Sequence, residues 1–288
     1  MNMLRLQGLA FCLLATVSAA ASSLALLSAQ QELLLSAGLI IIFGVPHGAM
    51  DPVFAQKLYA IVGVADWIKF LAFYLLLGAL VIVLWCVVPG FFLIGFLLFS
   101  LVHFSGDLAR GAAPVCRLLY GGAIIVLPSL LHENAVTLLF SMLVGSSVAL
   151  SVAHALHVLA WPWLIAAMLA AFHEALRERQ AALEMAALCT LATLASPLFA
   201  FAVYFCTMHG ARHIVRTRTY AGMTLLRLGL IASPPMVAVL CMAALTWHWT
   251  PNLARDVHLI RLLFVALAAL TVPHMALVER VRFYGWIR

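Results

Sequence analysis

The segment Gly44-Val45-Pro46-His47-Gly48-Ala49-Met50-Asp51 (GVPHGAMD, residues 44–51) decides how this chain is read. It sits inside an apolar run, LIIIFGVPHGAMDPVFA, which is otherwise suited to crossing a bilayer. A histidine and an aspartate four residues apart are out of place there. Burying an ionisable group in a membrane span costs several kcal/mol, so such residues line a cavity or bind something.

The rest of the chain supports the membrane setting. Of its 288 residues 66% are hydrophobic and 9% charged, whereas soluble domains carry roughly 25% charged residues. Too few charges remain to cover a water-facing surface. The fold expected is all-α, a polytopic transmembrane helical bundle. The formal net charge of +6 then reflects basic loops facing anionic lipid, and no nucleic-acid partner is expected. Cys12, Cys86, Cys116, Cys189, Cys206 and Cys241 are scattered without CxxC spacing, which indicates neither a disulfide framework nor a thiolate zinc site.

Residues 1–30 begin like a secretory signal, with a basic start, an apolar core and small residues. The apolar stretch continues through LALLSA, so it is read as a retained N-terminal transmembrane helix. Residues 31–288 form the membrane-embedded domain. Apolar runs between polar or Pro/Gly breaks predict about ten spans, at 8–28, 33–56, 67–88, 91–108, 113–131, 134–148, 149–172, 181–208, 223–246 and 257–279. With both termini cytoplasmic, twelve of the sixteen Lys and Arg, among them Arg5, Arg110, Arg212, Arg282 and Arg288, fall inside. Arg177, Arg179, Arg255 and Arg261 fall outside. That bias favours ten spans over nine.

Three stretches, the opening one among them, share one spacing. HGAMD gives His47 and Asp51, HFSGD gives His103 and Asp107, and HGARH gives His209 and His213, all spaced i, i+4. On a helix that spacing puts both side chains on one face. A fourth stretch, TVPHMALVER, adds His274. The span pattern puts all five histidines at similar depth in the cytoplasmic half. Histidines contributed by several helices are what a buried metal site in a bundle requires, and neutral imidazole ligates Fe, Zn, Cu or Ni. Asp51 and Asp107 are cast as acceptors that fix a histidine tautomer, with direct ligation, helix capping and pairing with Arg110 or Lys57 left open. His132, His173, His248 and His258 are read as surface residues. His154 and His157 are the histidines most open to a role in the site.

GVPHGAMD, HFSGD, MHGARHIVR and TVPHMALVER, in this order on a multi-span chain, resemble the Brp/Blh family of bacterial β-carotene 15,15′-dioxygenases over roughly residues 38 to 280. The segment ahead of the first motif is longer than in compact members, and Ser105-Gly106 follows Phe104 where the family pattern has glycine directly. The resemblance implies an enzyme of the bacterial inner membrane that binds Fe(II) through His47, His103, His209 and His213, with His274 near the site. It implies cleavage of β-carotene by O2 at the central double bond into two molecules of all-trans-retinal. A lipid-dissolved polyene could enter between helices, and Phe43, Phe54, Phe99, Phe104, Tyr204 and Phe205 are candidate walls of its tunnel. A microbial rhodopsin is a candidate acceptor of the retinal. Three other readings stand beside this one: a di-iron oxygenase or desaturase, a metal or proton transporter using the same side chains as a relay, and a pigment- or rhodopsin-assembly factor without catalysis. The first resembles proteins with paired histidines and about eight ligands, and this chain has no HH pair. The second requires a polar path to the outer face.

Overall fold

Proline and glycine punctuate a chain that is otherwise apolar enough to stay helical throughout. The computed structural model describes residues 3–108, 111–249 and 254–281. In chain order the helices are α1 (Met3–Ser23), α2 (Ala29–Leu39), α3 (Val45–Gly48), α4 (Asp51–Tyr59), α5 (Val64–Val87), α6 (Pro89–Phe104) and α7 (Pro114–Val126). They continue as α8 (Pro128–Val144), α9 (Ser146–Ala175), α10 (Arg179–Leu194), α11 (Pro197–Tyr204), α12 (Ala211–Ala221), α13 (Leu225–Trp249) and α14 (Arg255–Val281). Two π-helical turns, Ile40–Gly44 and Phe205–Gly210, precede α3 and α12. No strand occurs among the described residues.

Among the described residues, seven helical segments are long and apolar enough to cross a membrane, namely α1, α2 through α4, α5, α9, α11 through α12, α13 and α14, or eight if the bent pair α7 and α8 is one span. The expected ten are not borne out. Pro128 opens α8 with no N–H to give, and the two helices meet at a 45° bend, so 113–131 and 134–148 are parts of one bent element. Gly145, at φ 85°, closes α8, and α9 then runs for 30 residues without a break. The predicted span 181–208 is cut at Ala195–Ser196, where Pro197 starts a new helix. Many large apolar side chains point outward, Leu13, Phe91 and Leu226 among them. A lipid solvent accounts for that exposure.

The chain forms two compact units, Met1–Gly44 with Leu93–Arg212, and Val45–Phe92 with His213–Arg288. In the first, α1 packs on α10 and α11 with Phe11, Ala15 and Ala19 buried and Phe11 edge-on to Tyr204, and α9 buries Ala149, Ala153, Ala160 and Ala167 completely. Small residues let membrane helices approach closely. A Cβ on Gly121 would overlap the backbone at Leu101 and Ser105, which fixes how tightly α7 lies on the end of α6. In the second unit, Phe54, Leu277, Val278 and Val281 make one apolar cluster with Tyr74 and Tyr220 packed on it. Ala49, Met50, Val53, Leu228 and Ala232 make another. Helix α5 packs on α14 yet buries none of its own residues.

One assignment of sides is overturned. Gln180 donates to the backbone carbonyl of Arg5 at 3.2 Å, and Arg5, Arg177 and Arg179 line one cavity. A hydrogen bond cannot bridge the roughly 30 Å of hydrocarbon, so Arg177 and Arg179 lie on the side of Arg5, opposite to the expectation. Arg110, Arg282 and Arg288, part of the same charge argument, lie outside the described residues.

Candidate functional site

The i, i+4 motifs do not sit on uninterrupted helices. Helix α6 ends at Phe104, and the amides of Gly106 and Asp107 turn back onto His103 and Phe104 at 3.1 and 3.0 Å, so Asp107 leaves the helical face of His103. Likewise α3 stops at Gly48, and Asp51 begins α4 beyond a turn with Met50 at φ −86°, ψ 0°. His209 lies in a π turn and His213 in the α-helix after it. Single-turn π insertions recur at functional sites. The first two breaks free Asp107 and Asp51 to meet an imidazole from another helix.

In the first unit, Asp107 Oδ2 accepts from the Tyr204 hydroxyl at 2.7 Å and from His209 Nδ1 at 2.9 Å. An ionised carboxylate only accepts, so Nδ1 of His209 carries the hydrogen and Nε2 presents its lone pair. That Nε2 faces His103 Nε2 at 3.1 Å. Tyr204, Asp107, His103 and His209 are all buried. Phe205 stacks on the His209 ring at 5.6 Å, and Phe104 meets it edge-on at 5.0 Å. Gly44 makes this possible, because a Cβ there would come within 2.8 Å of Phe205.

The second unit repeats the arrangement with different helices. Asp51 Oδ1 lies 2.6 Å from His274 Nδ1, and the Tyr74 hydroxyl donates to Asp51 Oδ2 at 2.7 Å. The rings of His47, His213 and His274 form a triangle with centroids 5.1 to 5.6 Å apart. Phe54 lies 5.5 Å from His213. All three histidines and Asp51 are buried.

Of the proposed tunnel residues, Phe54, Phe104, Tyr204 and Phe205 are buried around these histidines, while Phe43 and Phe99 are more than half exposed. His154 and His157 pair elsewhere, with Glu133 Oε1 at 3.2 Å and the Ser129 carbonyl at 2.8 Å. His258 is not a surface residue: it is 5% exposed and stacked on Trp247 at 4.2 Å, a flat apolar ring that shelters it from solvent. Sequence reasoning missed Tyr74, Glu184 and Gln7. Glu184 carried a usable signal, a carboxylate inside AALEMAALC, the same oddity that marked Asp51.

Among the described residues no group of three His, Cys, Asp or Glu stands ready to hold a metal ion. The donor set nonetheless suits one. Two imidazole nitrogens on one metal at about 2.1 Å lie about 3.0 to 3.4 Å from each other, depending on the angle between them, a range that includes the His103–His209 spacing of 3.1 Å. A carboxylate on the far nitrogen of a ligating histidine is the usual support.

Fold and site together define a membrane-embedded helical protein organised around buried histidine–carboxylate pairs. The chain belongs to the β-carotene 15,15′-dioxygenase family, whose profile matches residues 38–281. It is 29% identical over 252 residues to the β-carotene 15,15′-dioxygenase of the uncultured marine bacterium 66A03, covering 84% of this chain and 90% of that protein. It is 27% identical over 283 residues to the probable β-carotene 15,15′-dioxygenase Blh of Halobacterium salinarum (strain ATCC 700922 / JCM 11081 / NRC-1), covering 83% of this chain and 81% of the relative. No solved structure matches significantly.

Proposed function

We propose that this protein cleaves β-carotene at its central 15,15′ double bond, using O2 and yielding two molecules of retinal. Family membership over most of the chain carries the reaction class. The observation that supports the site is the imidazole pair of His103 and His209, Nε2 to Nε2, with Asp107 behind it. Fe(II) is the proposed metal, and His47, His103, His209 and His213 its ligands, a set that follows the order of the motifs along the chain. When bound, iron supplies the activation of O2 that the carbon–carbon scission needs.

The rest is the work of the side chains. Asp107 keeps a hydrogen on His209 Nδ1 and so directs the Nε2 lone pair away from itself; Asp51 does the same for His274. The buried aromatic rings Phe54, Phe104 and Phe205 keep water from the imidazoles and offer apolar surface to a polyene. One O2 supplies both aldehyde oxygens, so no other reductant enters the balance. The substrate reaches the protein through lipid. We place the protein in the bacterial inner membrane with the side of Arg5, Arg177 and Arg179 cytoplasmic, following the basic-residue bias. A retinal-binding membrane protein such as a microbial rhodopsin is a fitting acceptor of the product.

Expression in bacteria that accumulate β-carotene tests this directly, with pigments separated by chromatography and iron assayed on the purified protein. Retinal formation with about one iron per chain is expected, and His47→Ala, His103→Ala, His209→Ala and His213→Ala should each abolish cleavage and lower bound iron. Unchanged β-carotene in the wild type would overturn the reaction; a single histidine variant with full activity and iron would remove that residue from the ligands.

A further inference from the structure

Helix α1 lies ahead of the family-matched residues 38–281, yet its second turn is built into the wall behind His209. Arg212 is 4% exposed, and all three of its guanidinium nitrogens are engaged. Nε donates to Gln7 Oε1 at 2.8 Å. Nη1 donates to Glu184 Oε2 at 2.9 Å and to the backbone carbonyl of Asp107 at 2.6 Å. Nη2 donates to Glu184 Oε1 at 2.7 Å. Gln7 Nε2 in turn donates to the carbonyl of Thr207 at 2.8 Å, inside the π turn that carries His209.

Gly8 shows how closely this is built. A Cβ on Gly8 would overlap Glu184 Oε1 and Gln180 Nε2 and stand 3.0 Å from Arg212 Nη2. The backbone of α1 therefore rests directly on the ion pair. A buried Arg–Glu pair adds little net stability, because desolvation offsets the attraction. Its planar fork, however, holds neighbours at fixed angles. Here the neighbours are the carbonyl of Asp107 on one side and Gln7 on the other, and the Asp107 carboxylate is what holds His209.

We infer that Gln7, Arg212 and Glu184 form a positioning device for His209. Helix α1 seats Arg212, Arg212 clamps the turn that bears Asp107, and Asp107 fixes the orientation and tautomer of the imidazole. The inference rests on the reading of His209 as an iron ligand, and it makes the turn of α1 that bears Gln7 a support of the site although that turn lies outside the family match.

The test uses the full-length, iron-loaded protein in lipid nanodiscs. Gln7→Met and Arg212→Lys alter the device, and Ala19→Gly loosens α1 at a buried position about three turns beyond Gln7. Bound iron, kcat, KM and the electron paramagnetic resonance spectrum of the ferrous nitric oxide complex are measured on the folded fraction. Gln7→Met should keep its iron and its KM, lose about tenfold in kcat and shift the spectrum. Arg212→Lys should act in the same direction and further, and Ala19→Gly should lower thermal stability while leaving kcat and spectrum as in the wild type. A folded Gln7→Met with wild-type kcat and spectrum overturns the inference, as does an Ala19→Gly that reproduces the Gln7→Met changes. Wild-type iron and spectrum in His209→Ala would instead overturn the ligand reading, and this inference with it.

Discussion

Asp107 accepts two hydrogen bonds on one oxygen while its own backbone carbonyl is held by Arg212. The side chain that orients the imidazole is thus itself oriented from two directions. Asp107→Asn keeps the shape but adds donors where only an acceptor serves. Removing such a carboxylate partner costs about 10- to 100-fold in metal affinity or activity, so that loss is expected in iron titration and turnover alike. Tyr204→Phe removes one hydrogen bond and should cost less, within about tenfold. The motifs announced the histidines and aspartates, because an ionisable residue in an apolar run stands out on composition alone. Which imidazole each aspartate meets was not legible. Spacing suggested a partner one turn away, and helix ends at Phe104 and Gly48 sent Asp107 to His209 and Asp51 to His274 instead. Tyr74 carried no signal, since tyrosine is ordinary in an apolar helix.

The elements show where apolar runs mislead. A run of hydrophobic residues marks membrane depth but not where the helix bends. The Leu127–Pro128 joint and the Ala195–Ser196 break rearranged the middle of the expected span list. Proline and glycine were in view at each break, but the same residues also lie inside continuous helices, at Pro162, Pro234, Pro235 and Pro273. Tertiary packing decides between the two outcomes. Two outcomes are expected at this scale. A Cβ at Gly121 collides with backbone, which cannot move aside as a side chain can, so Gly121→Val should destabilise by at least about 1–3 kcal/mol, read as a lower unfolding temperature in detergent. Cysteine labelling from one side of sealed vesicles should find residues 5 and 178 equally accessible from that side, because they flank one cavity with Gln180 bonded across it.

For the whole molecule, each unit builds the same small constellation from unrelated helices: a tyrosine hydroxyl and a histidine Nδ1 on one aspartate, Tyr204–Asp107–His209 in one and Tyr74–Asp51–His274 in the other. The two differ in their surroundings. Tyr204 is wholly buried in α11, whereas Tyr74 is carried by α5, a helix with no buried residue. A helix so exposed meets lipid along most of its length, so bilayer thickness acts on its tilt beside its packing on α14, and its tyrosine reaches straight to Asp51. Acyl-chain length is therefore expected to act on this constellation through α5, by the Tyr74 hydroxyl and by the packing of α5 on α14, which carries His274. In vesicles of graded chain length, turnover should vary with thickness in the wild type and flatten in Tyr74→Phe. The cell would then adjust the enzyme by the lipids it makes, without touching the protein.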